Sequence, residues 1–220
     1  MLVKEAKQAC GSDLGKASKM PGFGYGLSAL NCKTGSKLAK IKGSICSDCY
    51  ALGGNYMYPS VALSHERRIK AIKKDLNAWM GGMIALISKR VDPEVPYFRW
   101  HDSGDLDSVD HLKAIVAIAE YLPNVSFWLP TKEKGFLLTF IAQGGKIPKN
   151  LAIRLSASMQ NQKSKLPKRL KLASVQASQG FAKPDMGAKE TCPASLQDDK
   201  CLDCRKCWDK SLPTVTYKLH

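Results

Sequence analysis

The sequence lacks the features of a membrane or secreted protein. No run of about eighteen consecutive apolar residues is present, so no transmembrane helix is predicted. The chain begins MLVKE, without an apolar signal segment, and this favours the reducing cytoplasm over secretion. There is no internal repeat and no low-complexity tract, so residues 1–220 are expected to form a single domain.

Acidic residues and histidines are also scarce. Lys and Arg number 34 against 19 Asp and Glu, which gives a formal charge of +15. Such an excess favours a polyanionic partner such as nucleic acid, although a basic soluble surface alone would explain it equally well. Basic residues concentrate in two runs, at 67–74 and 163–171. The four histidines are scattered and form no C2H2 zinc-finger pattern.

Cysteine, by contrast, is abundant and clustered. Seven of the eight cysteines lie in two segments, 32–49 and 192–207, and only Cys10 is isolated, as expected of a buried packing residue. Thiolates spaced two residues apart can converge on one metal centre, and in a cytosolic chain this spacing favours metal binding over disulfides. The predicted metal ligands are Cys32, Cys46 and Cys49 in the first segment, and Cys192, Cys201, Cys204 and Cys207 in the second.

The spacing favours iron–sulfur clusters, most simply [4Fe–4S], over zinc. A zinc ribbon usually has two separated C-x2-C pairs, whereas the single C-x2-C-x2-C run at 201–207 suits a cubane and resembles bacterial ferredoxins. Cys192 can complete that site. Three ligands in the first segment would leave one iron open to a substrate, as in catalytic zinc sites. One or two clusters, a single site shared by both segments, and zinc as the alternative metal all stay open.

Alternating strand and helix patterns indicate an α/β fold. Strands are predicted at 25–30, 97–100, 125–129, 151–155, 172–175 and 214–217, with helices at 61–90, 109–121 and 133–142. This order predicts a parallel sheet with right-handed crossovers. About six strands are too few for a closed eight-stranded barrel, so we expect a partial, open TIM-like barrel. Both Cys-rich metal-binding loops are expected at one end, the C-terminal edge of its strands.

Polar residues follow several predicted strands, and loops at the carboxyl edge of a parallel sheet converge. We therefore expect one cavity for a small-molecule ligand. Arg154 and Lys132 would hold an anionic group, Asp105 would accept a hydrogen bond, and His101 would move a proton. Alternatively, Arg154 forms a buried ion pair with Asp102 or Asp105. The candidate catalytic residues are His101, Asp102, Asp105, Lys132 and Arg154; the candidate cofactor-binding residues are Ser103, Gly104, Ser156 and Gln176.

The chain resembles a family of largely uncharacterised phage-encoded proteins, the gene-product-88 family. The resemblance rests on motifs at 18–21, 46–51, 99–106, 128–132, 153–156 and 192–209, which span nearly the whole chain. It implies a phage or prophage origin. The expected location is therefore the host-cell cytoplasm during infection.

A more distant similarity is to radical S-adenosylmethionine enzymes, which use a partial barrel with a three-cysteine loop after the first strand. Cys46-x2-Cys49 resembles the end of that loop, and the sequence at 103–105 resembles the motif that holds the methionyl amine. Thirteen residues separate Cys32 from Cys46, more than in the usual loop. This similarity implies S-adenosylmethionine as a ligand and redox or radical chemistry.

The alternative function is a zinc-stapled nucleic-acid-binding protein without catalysis.

Overall fold

A parallel sheet of six strands organises the chain. The computed structural model describes residues 1–219. The strands are β1 (Phe23–Tyr25), β2 (Tyr97–Trp100), β3 (Ser126–Thr131), β4 (Leu151–Ser156), β5 (Gln176–Phe181) and β6 (Thr214–Lys218). They lie in the sheet in chain order and all neighbours are parallel. Within residues 1–219, β1 does not pair with β6, so the predicted α/β fold with an open sheet is confirmed.

Seven α-helices accompany the strands in the described part of the chain. They are α1 (Val3–Ala9), α2 (Lys33–Leu38), α3 (Pro59–Lys74), α4 (Leu76–Arg90), α5 (Val109–Tyr121), α6 (Lys134–Ala142) and α7 (Lys168–Leu172). The predicted helix 61–90 is in fact two helices, and they divide at Asp75 rather than at the two glycines 81 and 82. Asp75 is extended and its carboxylate accepts from the backbone N–H of Ala78, which makes it the N-cap of α4.

Alternation along the strands gives the sheet two different faces. Phe98, Phe127 and Ile153 are completely buried against the helices and form the main hydrophobic core with them. The other face carries Arg99, Trp128 and Arg154, and we call it the open face because these helices do not cover it. The two faces explain why Tyr97 and Arg99 alternate with the core residues Phe98 and Trp100 in the short strand β2.

Residues 190–213, here called the C-terminal segment, cover the open face in place of a helix. Trp208 donates from Nε1 to the carbonyl of Phe98 at 3.0 Å and packs edge-on against Tyr97 and Trp128. At one end, residues 190–192 lie beside β6 through a parallel bridge at 191 and 216. At the other end, the N–H of Cys201 donates to the carbonyl of Lys19, ahead of β1. The segment therefore spans the sheet from one edge strand to the other.

Arg154 fastens this segment to the sheet. Its side chain is completely buried, and its guanidinium donates to four carbonyl oxygens of the segment, at 2.6 to 3.1 Å. The four acceptors are those of Lys206, Cys207, Asp209 and Leu212. A planar guanidinium with five N–H donors is suited to collecting several carbonyls at once. The segment has little regular secondary structure, so this side chain satisfies backbone acceptors that a helix would satisfy internally.

We expect Arg154→Met to lower the free energy of unfolding by about 3–5 kcal/mol, because the substitution strands several buried carbonyls without donors. Urea unfolding followed by tryptophan fluorescence measures the change. Arg169→Met is the matched control, since Arg169 is exposed and its loss should cost less than about 1 kcal/mol. Equal stability of the two variants would show that Arg154 does not hold the segment.

Candidate functional site

The first cysteine segment lies over the carboxyl ends of the strands, as predicted. Cys32 directly precedes α2, and the first turn of that helix is anchored by Glu133 from the loop after β3. The Glu133 carboxylate accepts from both the N–H and the hydroxyl of Thr34, each at 2.8 Å. A carboxylate is favourable at this position because it meets the free N–H groups of the helix start. Cys32 is thereby fixed next to the end of β3.

The Cys46 loop is fixed over the end of β4 in the same manner. The N–H of Ile45 donates to the carbonyl of Ser158 at 2.9 Å, and Ser44 forms a bridge with Met159. The Gln160 amide donates to the carbonyl of Ser44 and to the carboxylate of Asp48. These contacts are made by residues that neighbour the cysteines, so the thiols themselves stay available.

Three thiols, those of Cys32, Cys46 and Cys49, form what we call the edge group. The sulfur atoms of Cys32 and Cys46 lie 3.6 and 3.7 Å from the point where a Cβ on Gly35 would stand. Burial raises the pKa of Cys32 to about 12, and the negative charges of Asp105, Cys49 and Cys46 add to that effect. The same Cβ on Gly35 would lie only 2.9 Å from the Cβ of Cys32, so the close approach of α2 to Cys32 favours glycine at position 35.

Lys132 places a positive charge among these thiols. Its ammonium donates to the carbonyl of Ala157 at 2.7 Å. Burial lowers the pKa of Lys132, while the negative charges of Cys46, Asp105 and the other two thiols act in the opposite direction. Burial also raises the pKa of Cys46, and Lys132 opposes that shift. The lysine would thus favour thiolate over thiol in the edge group.

Asp105 is the acidic member of this site. Its carboxylate accepts from the Thr131 hydroxyl at 2.6 Å and from the N–H groups of Leu106 and Lys132 at 2.7 and 2.8 Å. Burial nevertheless raises its pKa to about 6. These hydrogen bonds join the loops after β2 and β3, so Asp105 fixes the two loops next to the edge group.

The other four clustered thiols, Cys192, Cys201, Cys204 and Cys207, form what we call the open-face group. Cys192 is held by an N–H bond to the carbonyl of Thr216, and the sulfur of Cys207 lies 3.1 Å from the Tyr217 hydroxyl. Burial raises the pKa of Cys201, and the charges of Cys192 and Cys204 raise it further. The group lies on the open face and not at the carboxyl edge, contrary to the expectation that both segments share one end, because its segment replaces a covering helix.

All eight cysteines are free thiols. Among residues 1–219, no group of three or more His, Cys, Asp or Glu side chains is arranged to hold a metal ion. The electrostatic effects on Cys32 come from thiols of the edge group, and those on Cys201 from thiols of the open-face group. The chain therefore has two separate sets of free thiols, three in one and four in the other.

Two of the candidate residues lie away from the carboxyl edge. Gln176 is the first residue of β5 and so lies at the amino end, because residues 172–175 end α7 and turn instead of forming the predicted strand. Its amide donates to the carbonyl of Ser174. The predicted pairing of Arg154 with Asp102 or Asp105 is also wrong, since backbone carbonyls of the C-terminal segment take up the guanidinium.

His101 is part of the helix-covered core. It has a positive φ of 53° and is 3% exposed, and its ring lies 5.3 Å from that of His111 in α5. Burial lowers its pKa well below the usual histidine value, so it stays neutral. Neither ring nitrogen has a hydrogen-bond partner among the described residues. This position does not fit the predicted exchange of protons with a ligand at the strand ends.

The remaining candidates have clear structural contacts. The Ser103 hydroxyl donates to the carbonyl of Leu27 at 2.8 Å, and Gly104, at a φ of 78°, lies so close to Leu27 that a Cβ would clash. These two residues therefore pack the end of β1. Ser156, at the end of β4, accepts from the Ser178 hydroxyl at 3.1 Å. The Tyr56 hydroxyl donates to the carboxylate of Asp102 at 3.3 Å.

Three residues of the site were not among the sequence predictions: Glu133, Tyr50 and Arg99. Glu133 directly follows Lys132 at the end of β3, and this position after a strand could have marked it as a candidate site residue. Tyr50 follows Cys49, and its hydroxyl bonds to the carbonyl of Asp102 and to the Arg99 guanidinium. Arg99 alternates with two core aromatics in β2, which places it on the opposite face.

The comparisons with known proteins find one family. The family model described as gene product 88 matches residues 1–210. No curated protein and no solved structure matches the chain, so the resemblance to radical S-adenosylmethionine enzymes has no support from them. Within residues 1–219 no helix combines the length and the apolar character needed to cross a membrane.

Asp105 predicts a pH-dependent stability. Its pKa is about 6 in the folded protein, above the ordinary value of an aspartate, so the folded state binds the proton more tightly. That contribution is complete below about pH 4 and is lost as the pH rises through about 6. The stability of the wild type relative to Asp105→Asn should therefore fall by on the order of 2 kcal/mol from about pH 4 to about pH 7. Urea unfolding at both pH values measures it, and a constant difference would contradict it.

Proposed function

This chain belongs to the gene product 88 family, and we propose that it is a phage-encoded iron–sulfur protein that acts in the host cytoplasm. The observation that carries the proposal is the sorting of seven free thiols into a group of three and a group of four. Three thiolates leave one iron of a [4Fe–4S] cluster open, whereas four complete its coordination.

The spacing of the thiols favours clusters over zinc. A structural zinc ion needs four donors at about 2.0–2.3 Å from a single point. In the described residues no group of three or more His, Cys, Asp or Glu side chains is arranged to hold a metal ion, so the preference for clusters over zinc rests on the C-x2-C-x2-C run at 201–207. A four-iron cluster instead binds each thiolate at a different iron atom, so its ligands stand farther apart.

Buried cations beside both thiol groups also support the proposal. Thiolates in a low-dielectric site need compensating positive charge. Lys132 supplies it to the edge group. On the open face, burial raises the pKa of Cys207 to about 12, and the charges of Arg154 and Arg99 oppose that shift. Both groups thus have the electrostatic partner that ligation by thiolates would use.

When bound, an open-iron cluster would bind and activate a substrate, and a fully ligated one would carry electrons or brace the fold. In the edge group, Cys32, Cys46 and Cys49 would hold the cluster, Lys132 would balance its charge, and Asp105 would keep the surrounding loops in place. Binding of S-adenosylmethionine stays a prediction from resemblance. Ser103, which donates to the Leu27 carbonyl, and Gly104, which packs against Leu27, make contacts within the protein instead.

We expect anaerobically purified protein to be brown and to contain about eight iron and eight sulfide per chain, that is, two [4Fe–4S] clusters. Iron and sulfide assays, together with electron paramagnetic resonance of the reduced protein, measure this. A colourless protein that contains only zinc would refute the proposal.

Single substitutions separate the two groups. Cys46→Ala and Cys204→Ala should each remove about four iron atoms, because each affects only its own cluster. Cys10→Ala is the matched control, since Cys10 is buried in the main core, its thiol lies 3.6 Å from the carbonyl of Trp79, and it should leave the iron content unchanged. Loss of all iron from either variant would indicate one shared site instead of two.

A second candidate function, nucleic-acid binding, is favoured by the basic run at 163–171. Its Lys and Arg side chains are exposed, and no carboxylate of the described residues lies within 4 Å of them. The run at 67–74 is less suitable. Arg68 is buried, while Lys70 and Lys73 pair with Glu66 and Asp107.

If the 163–171 run binds phosphates, replacing Lys163, Lys165 and Lys168 by Gln should weaken DNA or RNA binding and reduce the salt slope by up to about three. Fluorescence anisotropy at two salt concentrations measures both quantities. The charge-matched control replaces Lys4, Lys146 and Lys149, which are exposed and lie outside both basic runs. Equal losses in the two triple variants would mean that only net charge matters.

A further inference from the structure

Arg154 and Arg68 are buried and Arg99 is partly buried, and these three arginines differ in how their guanidinium groups are satisfied. Arg154 donates to four carbonyls of the C-terminal segment. Arg68, 7% exposed, donates through all three nitrogens to oxygen atoms at 2.6 to 2.9 Å. Arg99 lacks such a set of acceptors. A buried N–H donor without an acceptor is costly, so the Nε of Arg99 calls for an explanation.

The partners of Arg99 are few and weak. One terminal nitrogen donates to the Tyr50 hydroxyl at 3.3 Å, and the other meets the thioether of Met20 at 3.8 Å. The guanidinium lies over the ring of Trp128 at 4.5 Å. Its Nε is buried and has no hydrogen-bond partner, and no carboxylate of the described residues forms an ion pair with it.

Arg99 lines a cavity of about 320 Å³ beside the edge strand β1. The residue paired with it in β1 is Gly24, which has no side chain to cover the guanidinium from that direction. Across the cavity are Asp102, Tyr56 and His65. A cavity of this size falls at the lower end of the range found for small-molecule sites.

We propose that this cavity binds a small organic anion, with its carboxylate or phosphate on Arg99 and a hydroxyl or amino group directed at Asp102. A guanidinium with unused donors is the preferred partner of carboxylate and phosphate oxygens. Asp102 also lines the cavity, and no cation of the described residues forms an ion pair with it. Lys16 and Arg68 add positive charge to the walls. The inference does not depend on bound metal.

Binding is tested with glycerate and glycerol 3-phosphate, which carry the two anionic groups, and with glycerol, which has the hydroxyls but no charge. Isothermal titration calorimetry in a chloride-free buffer compares the three probes on the full-length protein. We expect at least one anion to bind and glycerol not to bind. The anion that binds more tightly identifies the ligand as a carboxylate or as a phosphate ester.

Arg99→Met should weaken binding of that anion at least about tenfold, because it removes a charge-assisted contact. It should not lower the unfolding temperature, since it removes a partly buried cation whose Nε has no acceptor. Arg169→Met, an exposed arginine, is the matched control for the loss of one positive charge. It should leave anion binding unchanged.

Gly15→Leu provides a second, independent variant. A Cβ on Gly15 would meet only the carbonyl oxygen of Gly24, at 3.8 Å, so the backbone accepts a side chain there. Gly15 lines the cavity, and the leucine would occupy part of its volume. We expect the variant to fold and to lose anion binding.

The proposal is overturned if neither anion binds, if glycerol binds as well as the anions, or if Arg99→Met retains full affinity. In the last case Arg99 would serve only to balance charge near Cys201 and Cys207, whose pKa values it lowers against the effect of burial.

Discussion

The constraint on which the rest of the structure depends is a parallel sheet that does not close. Six strands in chain order bring the helices to one face and leave the other without a covering layer. An exposed face with Trp128 on it would be unstable in water, so another part of the chain has to cover it. The C-terminal segment does so, and Arg154 substitutes for regular secondary structure by donating to its carbonyls. The position of four cysteines follows from this arrangement.

The thiols and the cations form a second layer of organisation. Burial alone would keep these cysteines protonated and inert, which is the ordinary state of a packed thiol. Lys132 and Arg99 lie close enough to oppose that effect, although burial in turn lowers the pKa of Lys132. Buried thiols and a buried lysine with shifted pKa values, each opposing the shift of the other, are characteristic of functional sites.

Much of the architecture could be predicted because it follows from local pattern. The parallel order and the position of the first cysteine segment follow from periodicity and from the geometry of strand ends. Five of the six predicted strands overlap observed ones, although β1 shares only Tyr25 with the predicted strand at 25–30, and the predicted strand at 172–175 overlaps none. The errors arose where local caps and tertiary contacts, and not periodicity, determine where a helix or strand begins and ends. Asp75 divides a continuous helical pattern through one cap, and α7 extends to Leu172, which moves the last polar candidate, Gln176, to the wrong end of the sheet.

The role of Arg154 could not be predicted for a different reason. An arginine within an apolar strand indicates a partner, and the partners that a sequence displays are carboxylates. Here the partners are backbone carbonyls about 50 residues away in the chain, which no side-chain pattern reveals. Arg99 has a similar sequence signature, an arginine between two buried apolar residues of a strand, and yet its donors are largely unused. Two arginines with one pattern thus have opposite environments, and only the layout of the covering segment distinguishes the structural residue from the one available to a ligand.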